Sequence, residues 1–320
     1  MAICSIAMLL ATPVRADYSV TDLGDLGGAL AFQLSLNDQG DVAGTSWRAD
    51  GNYRGYIYRN GSLTEIGTLG GTLSGALDIN NAGVVVGWSY NASGVLRGFI
   101  LQGGVITDIG DLGGGATQAS AINDAAVIAG YSTNSSNQRR AILWSSASGI
   151  TSLGTLGRNS WGNAINNLNQ VVGNSFQNAT YLPVFIYEDG SMQSLGTLGG
   201  TEAYPQGIND QGHISGMSRD VNAWPRAFFI GDGSMQNLGT LGGSESYAYR
   251  LNENDEVVGW ARISSGPKHG FIWSPTSGMV DLNTRLAAGS QWVIEEAQDI
   301  TQHGQIVAFA FNSQNVRRAV

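Results

Sequence analysis

The chain has 320 residues, of which 46 are glycine and 6 are proline, while hydrophobic residues make up 42%. This apolar content is sufficient for a packed core, so the excess glycine indicates frequent turns in a folded protein and not a disordered linker. The formal net charge of −9 argues against a nucleic-acid partner. No apolar run reaches the roughly 20 residues that a membrane-spanning helix needs.

The first 16 residues are typical of a secretory leader. Residues 3–10 are largely apolar, and a small-residue cleavage site ends at Ala16. A buried first strand is the alternative interpretation. The only cysteine, Cys4, lies inside this leader, so we predict a mature chain, residues 17–320, without thiols and therefore without disulfides or thiolate metal sites. The leader predicts a secreted or extracellular protein, which includes a periplasmic or cell-surface location.

After the leader, one phrase recurs along the whole chain. It reads LNDQGDVAG at residue 36, INNAGVVVG at 79 and INDAAVIAG at 122, and its six asparagines are spaced by 43 residues. A weaker seventh copy follows after a step of 49, with Thr301 in place of asparagine. In the unit 72–110, short β-branched stretches alternate with Asn- and Gly-containing turns, and helical periodicity is absent. Four short antiparallel strands per unit of this size are typical of a propeller blade.

We therefore predict an all-β chain that forms a seven-bladed β-propeller of four-stranded repeats of about 43 residues. The blades are expected at about 29–67, 72–110, 115–154, 158–196, 201–239, 244–282 and 291–320 plus 18–24. Residues 18–24 resemble a fourth strand without its first three, and residues 291–320 resemble three strands without a fourth. The N-terminal strand is expected to close the last blade, which would remove the free sheet edges. A β-solenoid is the alternative, but it does not explain these complementary ends.

A second phrase, of the LGTLGG type, occurs six times between the last strand of one unit and the first strand of the next. A phosphate-binding loop would need a Lys-Ser/Thr ending before a helix, and calcium-binding repeats would need a recurring aspartate. None of the six copies ends in Lys-Ser/Thr, which argues against a phosphate-binding loop. The position of Asp25 is threonine in several other copies, which argues against calcium-binding repeats. We predict a hinge between blades, in which Leu198 fills the gap and the glycines adopt positive φ or allow close backbone approach.

These phrases, together with a triplet that opens the third strand, resemble the HAF repeat family of extracellular bacterial proteins over residues 18–320. The family is named for a His-Ala-Phe triplet, whereas this chain has mostly Arg-Gly/Ala-aromatic and keeps the histidine only in His269-Gly270-Phe271. The resemblance implies a secreted bacterial repeat protein. It supplies no agreed activity and no catalytic residues.

In such a blade, the loops between strands two and three share one face with the hinges, and here these loops are long and varied. We call this the loop-bearing face and the opposite one the plain face, and we expect ligand binding on the first.

Aromatic residues stand five positions before the repeat asparagine in blades one, four, five and six, and glutamates occur nearby in blades five to seven. Aromatic faces beside acidic acceptors suit sugars or cations. The candidate ligand-binding residues are Trp161, Tyr204, Tyr247, Glu202, Glu245, Glu295 and Glu296, with Phe32 as the blade-one aromatic. The alternative is that the aromatics pack between blades and the glutamates are solvated.

The recurring arginines at the start of the third strand (Arg54, Arg97, Arg140, Arg226 and Arg318) are expected to bond loop carbonyls or aspartates such as Asp25 and Asp111. His213 and His303 fall on the plain face and His269 on the loop-bearing face, so they cannot form one metal site. We predict no metal, no cofactor and no assigned catalytic residue, since a GxSxG motif and a mature-chain thiol are both missing.

The leading hypothesis is a secreted, non-catalytic propeller that binds an extracellular carbohydrate or surface protein, without a nucleic-acid partner or membrane span. A carbohydrate-active enzyme, either a glycoside hydrolase or a lyase, is the alternative, because the glutamates at the channel mouth could supply an acid and a base. A structural component of a surface layer is the second alternative.

Overall fold

The structure is a computed structural model that describes residues 18–25 and 27–320. The predicted seven-bladed β-propeller is confirmed: seven antiparallel sheets follow one another along the chain, and strands are hydrogen-bonded in sequence order within each sheet. The predicted leader, residues 1–16, lies outside the described residues. Within the described ranges, no helix is long and apolar enough to cross a membrane.

The strands run from the innermost to the outermost within each blade. Blade one has β1 (Gly27–Leu36), β2 (Val42–Arg48), β3 (Tyr53–Arg59) and β4 (Ser62–Glu65), and blade two has β5 (Gly70–Ile79), β6 (Val85–Asn91), β7 (Leu96–Gln102) and β8 (Val105–Asp108). Blade three has β9 (Gly113–Ile122), β10 (Ile128–Asn134), β11 (Arg139–Ser145) and β12 (Gly149–Gly154), and blade four has β13 (Ser160–Ile165), β14 (Val171–Ser175), β15 (Val184–Glu188) and β16 (Ser191–Gly196).

The remaining three blades follow the same plan. Blade five has β17 (Gly199–Ile208), β18 (Ile214–Asp220), β19 (Pro225–Ile230) and β20 (Met235–Asn237), and blade six has β21 (Gly242–Leu251), β22 (Val257–Ile263), β23 (Lys268–Ser274) and β24 (Gly278–Asp281). Blade seven has β25 (Val293–Ile300), β26 (Ile306–Phe311) and β27 (Arg317–Ala319). A 3-10 helix (Leu282–Arg285) follows β24, and the carboxylate of Asp281 accepts the N–H of Asn283 at its start. This inserted turn accounts for the longer step to the seventh repeat.

The core is divided among the interfaces between neighbouring blades. One apolar cluster in the described chain joins the last blade to the first: Leu34, Val42 and Tyr56 of blade one pack with Val307 and Phe309 of blade seven. Each of these side chains is at most 6% exposed. Burial of apolar area at this interface closes the ring by the same force that joins consecutive blades.

The LGTLGG phrases form the hinges that were predicted. Leu198 packs against the cluster between blades four and five, and Gly199 adopts a φ of +97° that favours glycine. A Cβ atom on Gly200 would lie 2.5 Å from the carbonyl oxygen of Arg219. The phrase therefore allows the chain to reverse direction between blades, so that the first residues of β17 pair with the last residues of β18.

The side chain of each repeat asparagine forms hydrogen bonds both within its own turn and to the next blade. The Oδ1 of Asn80 accepts the N–H groups of Ala82 and Val84 at 3.1 and 2.9 Å, and its Nδ2 donates to the carbonyl of Asn123 at 3.0 Å. The same link to the next blade is made by Asn37, Asn123, Asn166, Asn209 and Asn252. This explains why the asparagine recurs at a fixed spacing.

A second ring of hydrogen bonds closes on itself on the plain face. Each residue after the repeat asparagine donates its N–H to the side-chain oxygen of the equivalent residue in the next blade. The members are Asp38, Asn81, Asp124, Asn167, Asp210, Glu253 and Gln302. The last bond runs from the N–H of Gln302 to Oδ1 of Asp38 at 2.9 Å, so it joins blade seven to blade one.

Residues 18–25, the N-terminal segment, occupy the outer position of blade seven only in part. The N–H of Leu23 donates to the carbonyl of Ala319 at 3.0 Å, which is the bond that ends the fourth strand elsewhere, and Arg318 bonds Asp25. At its start, however, Tyr18 pairs with the loop after the 3-10 helix and not with blade seven. The expected closure is thus present at residues 23–25.

Candidate functional site

The innermost-strand residue five positions before the repeat asparagine, or before Thr301 in blade seven, pairs with one residue of the second strand, and this pair carries an aromatic side chain in every blade. The pairs are Phe32–Thr45, Gly75–Trp88, Gln118–Tyr131, Trp161–Asn174, Tyr204–Met217, Tyr247–Trp260 and Glu296–Phe309. Trp88, Tyr131 and Phe309 lie on the second strand and were not among the predicted residues, which all came from the first strand. These residues directly follow the glycine or alanine that ends the repeat phrase, so the signal was present in the sequence.

Two of the predicted residues, Tyr247 and Glu245, line an open groove between blades five and six on the loop-bearing face. The groove encloses about 460 Å³, and we call it the five–six groove. Trp224, in the loop that precedes β19, forms its blade-five wall and is 45% exposed. A large apolar ring held at the surface on a loop is a common feature of binding sites.

The blade-six wall of the groove is a stacked aromatic pair. The rings of Tyr247 and Trp260 lie 4.8 Å apart at an interplanar angle of 16°. The Nζ of Lys268 lies 4.1 Å from the centre of the Trp260 ring, which is within the range of a cation–π interaction. Burial, which is the largest cause, raises the pKa of Tyr247 above its ordinary value.

The four predicted glutamates are each bonded to a cation. Glu202 accepts from Arg219 at 2.5 Å and Glu245 from Arg262 at 2.9 Å. The second nitrogen of each arginine donates to a carbonyl of its own loop, at 2.7 Å to Ala223 and at 2.8 Å to Gly266. Each guanidinium is thus fixed by two partners, which lowers the entropy that a ligand contact would cost.

In blade seven, Glu295 accepts from Arg317 at 2.6 Å and Glu296 from Lys268 at 2.7 Å. Lys268 belongs to blade six, so this ion pair crosses the interface between the two blades. All four glutamates are thus ion-paired, while 12–29% of each side chain remains exposed. Their charges are balanced locally by arginine and lysine.

The remaining predicted aromatics occupy different surroundings. The hydroxyl of Tyr204 donates to Glu202 at 3.1 Å, and burial, together with the nearby carboxylate, raises the pKa of Tyr204 to about 12. Trp161 instead packs edge-on against Phe176, with ring centres 5.8 Å apart, and lies under the guanidinium of Arg139. The predicted crescent is therefore continuous in blades five to seven, while Trp161 belongs to a separate cluster in blades three and four.

A second cavity of about 450 Å³ lies at the mouth of the central channel, and we call it the mouth cavity. Of the predicted glutamates and aromatics, Glu296 and Phe32 line it. Its lining includes five amide side chains and two phenylalanines: the amides are Gln33, Gln118, Asn163, Gln206 and Gln298, and the phenylalanines are Phe32 and Phe309. Amides offer both donors and acceptors, so the cavity matches a hydroxyl-rich ligand.

Arg250 of β21 forms the floor of the mouth cavity. Its guanidinium reaches across the channel to Asp78 of blade two at 3.2 Å, and Ser35 bonds both Asp78 and Asp299. Burial raises the pKa of Asp299 to about 6, although Arg250 opposes the shift. The same arginine also lines the cavity on the plain face, so it separates the two ends of the channel.

The recurring arginines and the histidines are engaged by the protein itself. Arg97 bonds Asp108 at 2.8 Å and also bonds Asp111. Arg140 bonds the carbonyl of Arg158 in a hinge, while Arg54 and Arg226 bond carbonyls near the start of the next innermost strand. This confirms the predicted structural role of these arginines. His213 bonds Asp255 and His269 bonds Asp281, both at 2.7 Å. Among the described residues, no group of three or more His, Cys, Asp or Glu side chains is arranged to hold a metal ion.

A family model described as a protein of unknown function, DUF3466, matches residues 116–318, which is more than half of the chain. The chain belongs to this family. The match covers blades three to seven, and so includes the five–six groove with its aromatic and charged lining. A search of the curated proteins found no match.

Solved structures with the same fold are distant in sequence. The β-propeller domain of the Trilobed protease from Pyrococcus furiosus, which has an open velcro topology, is 13% identical with a TM-score of 0.59, and the match covers 91% of this chain and 94% of that one. The acylaminoacyl peptidase of Pyrococcus horikoshii is 11% identical with a TM-score of 0.57, over 93% and 52% of the two chains. The BP39L lectin from Burkholderia pseudomallei is 11% identical with a TM-score of 0.50, over 91% and 98%. At these identities the similarity shows the β-propeller fold alone.

Proposed function

We propose that this member of the DUF3466 family is a secreted binding protein that holds a carbohydrate in the five–six groove without cleaving it. The observation that carries the proposal is the lining of the groove. The exposed ring of Trp224 faces a surface that includes the stacked Tyr247–Trp260 pair, with Arg219 and Arg262 fixed at its edge. Aromatic faces stack on the C–H faces of sugars, and fixed guanidinium groups donate to hydroxyl oxygens.

The charge balance of the groove supports a sugar over a cation. The carboxylates of Glu202 and Glu245 are already bonded to arginines, so they do not offer the free negative charge that would attract a cation. The local ion pairs leave a nearly neutral but highly polar surface. This suits a ligand with many hydroxyl groups.

The secreted location is proposed from the apolar leader before Asp17. A glycan exposed outside the cell is the ligand that such a protein would meet. Detection of the protein in the culture medium or periplasm of the producing cell, with Asp17 as its first residue, would support this location. Retention in the cytoplasm with an intact leader would contradict it.

The test is a glycan-array screen of the wild-type protein beside Trp224→Ala and Trp161→Ala. Loss of one stacking ring costs on the order of 1 kcal/mol, so Trp224→Ala should weaken binding roughly five- to tenfold. Trp161→Ala removes an aromatic of the same face outside the groove, and it should leave binding unchanged. Thermal unfolding of the three proteins checks that each variant is folded.

Two results would contradict the proposal. One is the absence of glycan binding by the wild-type protein. The other is an equal loss in both variants, which would place the ligand elsewhere on the loop-bearing face.

A further inference from the structure

The innermost strand of every blade carries one extra residue near its end, relative to the second strand with which it pairs. In six blades the register shift includes the residue three positions before the repeat asparagine, or before Thr301 in blade seven. An extra residue of this kind is left unpaired in the ladder, so its side chain can be directed away from its neighbours. These residues are Leu77, Ser120, Asn163, Gln206, Tyr249 and Gln298, and all of them line the mouth cavity.

In blade one the extra residue is displaced by one position. Phe32 pairs with Thr45 and Leu34 with Gly44, so the residue between them, Gln33, is unpaired. Gln33 has a φ of +59°, in the left-handed region that favours glycine, whereas none of the six equivalent residues has a positive φ. The displacement places Leu34 in the apolar cluster between blades seven and one and Gln33 in the mouth cavity. The backbone is thus strained at the residue that adds an amide to the cavity.

Several amides that line the cavity offer unused hydrogen-bonding groups. The side chains of Gln33, Gln118 and Gln206 form no hydrogen bond with the part of the chain that the structure describes. Asn163 is fixed instead, since its Nδ2 donates to two oxygen atoms of the protein, both at 3.0 Å. Because an amide can both donate and accept, these side chains present donors and acceptors to whatever occupies the cavity.

The charged side chains that line the cavity are held in ion pairs. The pairs are Arg250 with Asp78 at 3.2 Å, Glu296 with Lys268 at 2.7 Å, and Arg317 with Glu295 at 2.6 Å. A charged ligand would have to displace one of these partners or enter with its own charge unbalanced, and either event costs free energy in a partly enclosed site. The ion pairs therefore favour an uncharged ligand.

The lining also differs between the two sides of the channel. Blades one and two contribute the apolar side chains of Phe32 and Leu77, whereas blades three to five contribute Ser120, Asn163 and Gln206. A pyranose ring has the matching character, since its C–H groups form an apolar face and its hydroxyls, which both donate and accept, project from the rim. The enclosed volume of about 450 Å³ lies in the lower part of the range of small-molecule sites. This size favours a single sugar unit.

We propose that the mouth cavity binds one uncharged monosaccharide. The apolar face of the sugar lies against Phe32 and Leu77. Its hydroxyls bond the amides of Gln33, Asn163 and Gln206, and this contact is the reason for the strained backbone at Gln33. The mouth cavity and the five–six groove share no lining residue, so this site does not depend on the glycan binding proposed above.

The experiment is isothermal titration calorimetry of the purified wild-type protein at pH 7 with free glucose, galactose, mannose, fucose and N-acetylglucosamine. At least one of these sugars should bind saturably, with one-to-one stoichiometry and a Kd below about 10 mM. Glucuronate is a control of similar size that carries a negative charge. It should bind at least about tenfold more weakly than the best neutral sugar, because its charge has no free partner in the cavity.

Protein variants locate the site. Gln206→Leu removes an amide without a partner in the described chain, so the variant should fold normally and bind the best sugar about fivefold to tenfold more weakly. Gln33→Gly removes a second amide but suits the positive φ. It should weaken binding to a similar extent, while its Tm stays equal to that of the wild type or rises. Gln39→Leu changes an exposed glutamine in a turn of the plain face and, as the matched control, should bind like the wild type.

Trp224→Ala separates the two sites, because Trp224 lines the five–six groove and not the mouth cavity. If this variant loses the sugar while Gln206→Leu and Gln33→Gly retain it, the sugar occupies the groove. The mouth-cavity proposal is then overturned, although the groove proposal stands. The absence of saturable binding of every neutral sugar up to about 50 mM, equal binding of glucuronate, or full affinity in both glutamine variants of the cavity would also overturn it.

Discussion

At the scale of single residues, the repeat asparagine stabilises its own turn and links its blade to the next one. Its side chain satisfies amides of its own turn and a carbonyl of the next blade, as in Asn166, which accepts from Leu168 and Gln170 and donates to Asn209. The sequence showed the spacing of these residues but not their partners, because a bond between residues 43 apart becomes visible only when the blades stand side by side.

Asn166→Ala should lower the free energy of unfolding by about 2–3 kcal/mol. The substitution leaves two amides and one carbonyl at a buried site without their partners, and each unsatisfied group carries a cost. Asn222→Ala, in an exposed loop, is the matched control and should change the value by less than about 0.5 kcal/mol. Urea unfolding of the three proteins measures this, and equal stability of the two variants would show that the asparagine ring is dispensable.

The candidate site was predicted only in part at this scale. Tyr247 and Glu245 were placed correctly on the loop-bearing face, since their position relative to the repeat asparagine is fixed by the strand. Trp224 was missed because it lies in a variable loop whose path the period does not determine. The ion pairs of Glu202 and Glu245 were also missed, although each arginine stands 17 residues after its glutamate, on the paired second strand. The partners of Glu295 and Glu296 lie on the third strand of blade seven and in blade six, where this spacing does not apply.

At the scale of elements, the order of strands and hinges follows from the sequence. Short β-branched stretches, Asn-Gly turns and the LGTLGG phrase each have one structural role, and the 43-residue period repeats that role in every blade. The 3-10 helix after β24 was not predicted from the step of 49 residues before the seventh repeat. A four-residue turn capped by Asp281 is too short for helical periodicity to reveal.

Gly200→Ala tests whether the hinge needs glycine for close backbone approach. A Cβ at this position would lie 2.5 Å from a backbone oxygen of β18, so either the hinge or the strand must move, and a loss of about 2 kcal/mol in the free energy of unfolding is expected. Gly67→Ala lies in the equivalent phrase of blade one, where a Cβ would meet nothing within 4 Å. It should be neutral within about 0.5 kcal/mol or slightly stabilising. Similar urea midpoints for the two variants would mean that close backbone approach does not explain the glycine.

At the scale of the whole molecule, blade seven joins blade one through several interactions, three of which lie at different depths of the interface. These are the apolar cluster around Phe309, the hydrogen bond from Gln302 to Asp38, and the attachment of the N-terminal segment at Leu23. The sequence predicted the number of blades and the role of the N-terminal segment. It did not predict that Tyr18 leaves blade seven to pair near Arg285, because the partner of an outer strand is not encoded in its own residues.

The closed ring creates sites that no single blade contains. The five–six groove needs the loop of blade five and the aromatic pair of blade six, and the mouth cavity needs side chains from all seven blades. Arg250 closes the floor of that cavity only because Asp78 stands across the channel. The proposed function is binding at such a shared surface, without cleavage of the ligand.

The most direct measurement of this claim is product analysis of the bound glycan after incubation with the wild-type protein and with Glu245→Gln. We predict that the glycan is recovered intact in both cases. Glu245→Gln should weaken binding about threefold to tenfold, because loss of the carboxylate releases Arg262 from its fixed position. Release of shorter glycans by the wild-type protein, together with its loss in Glu245→Gln, would contradict the proposal and identify a carbohydrate-active enzyme.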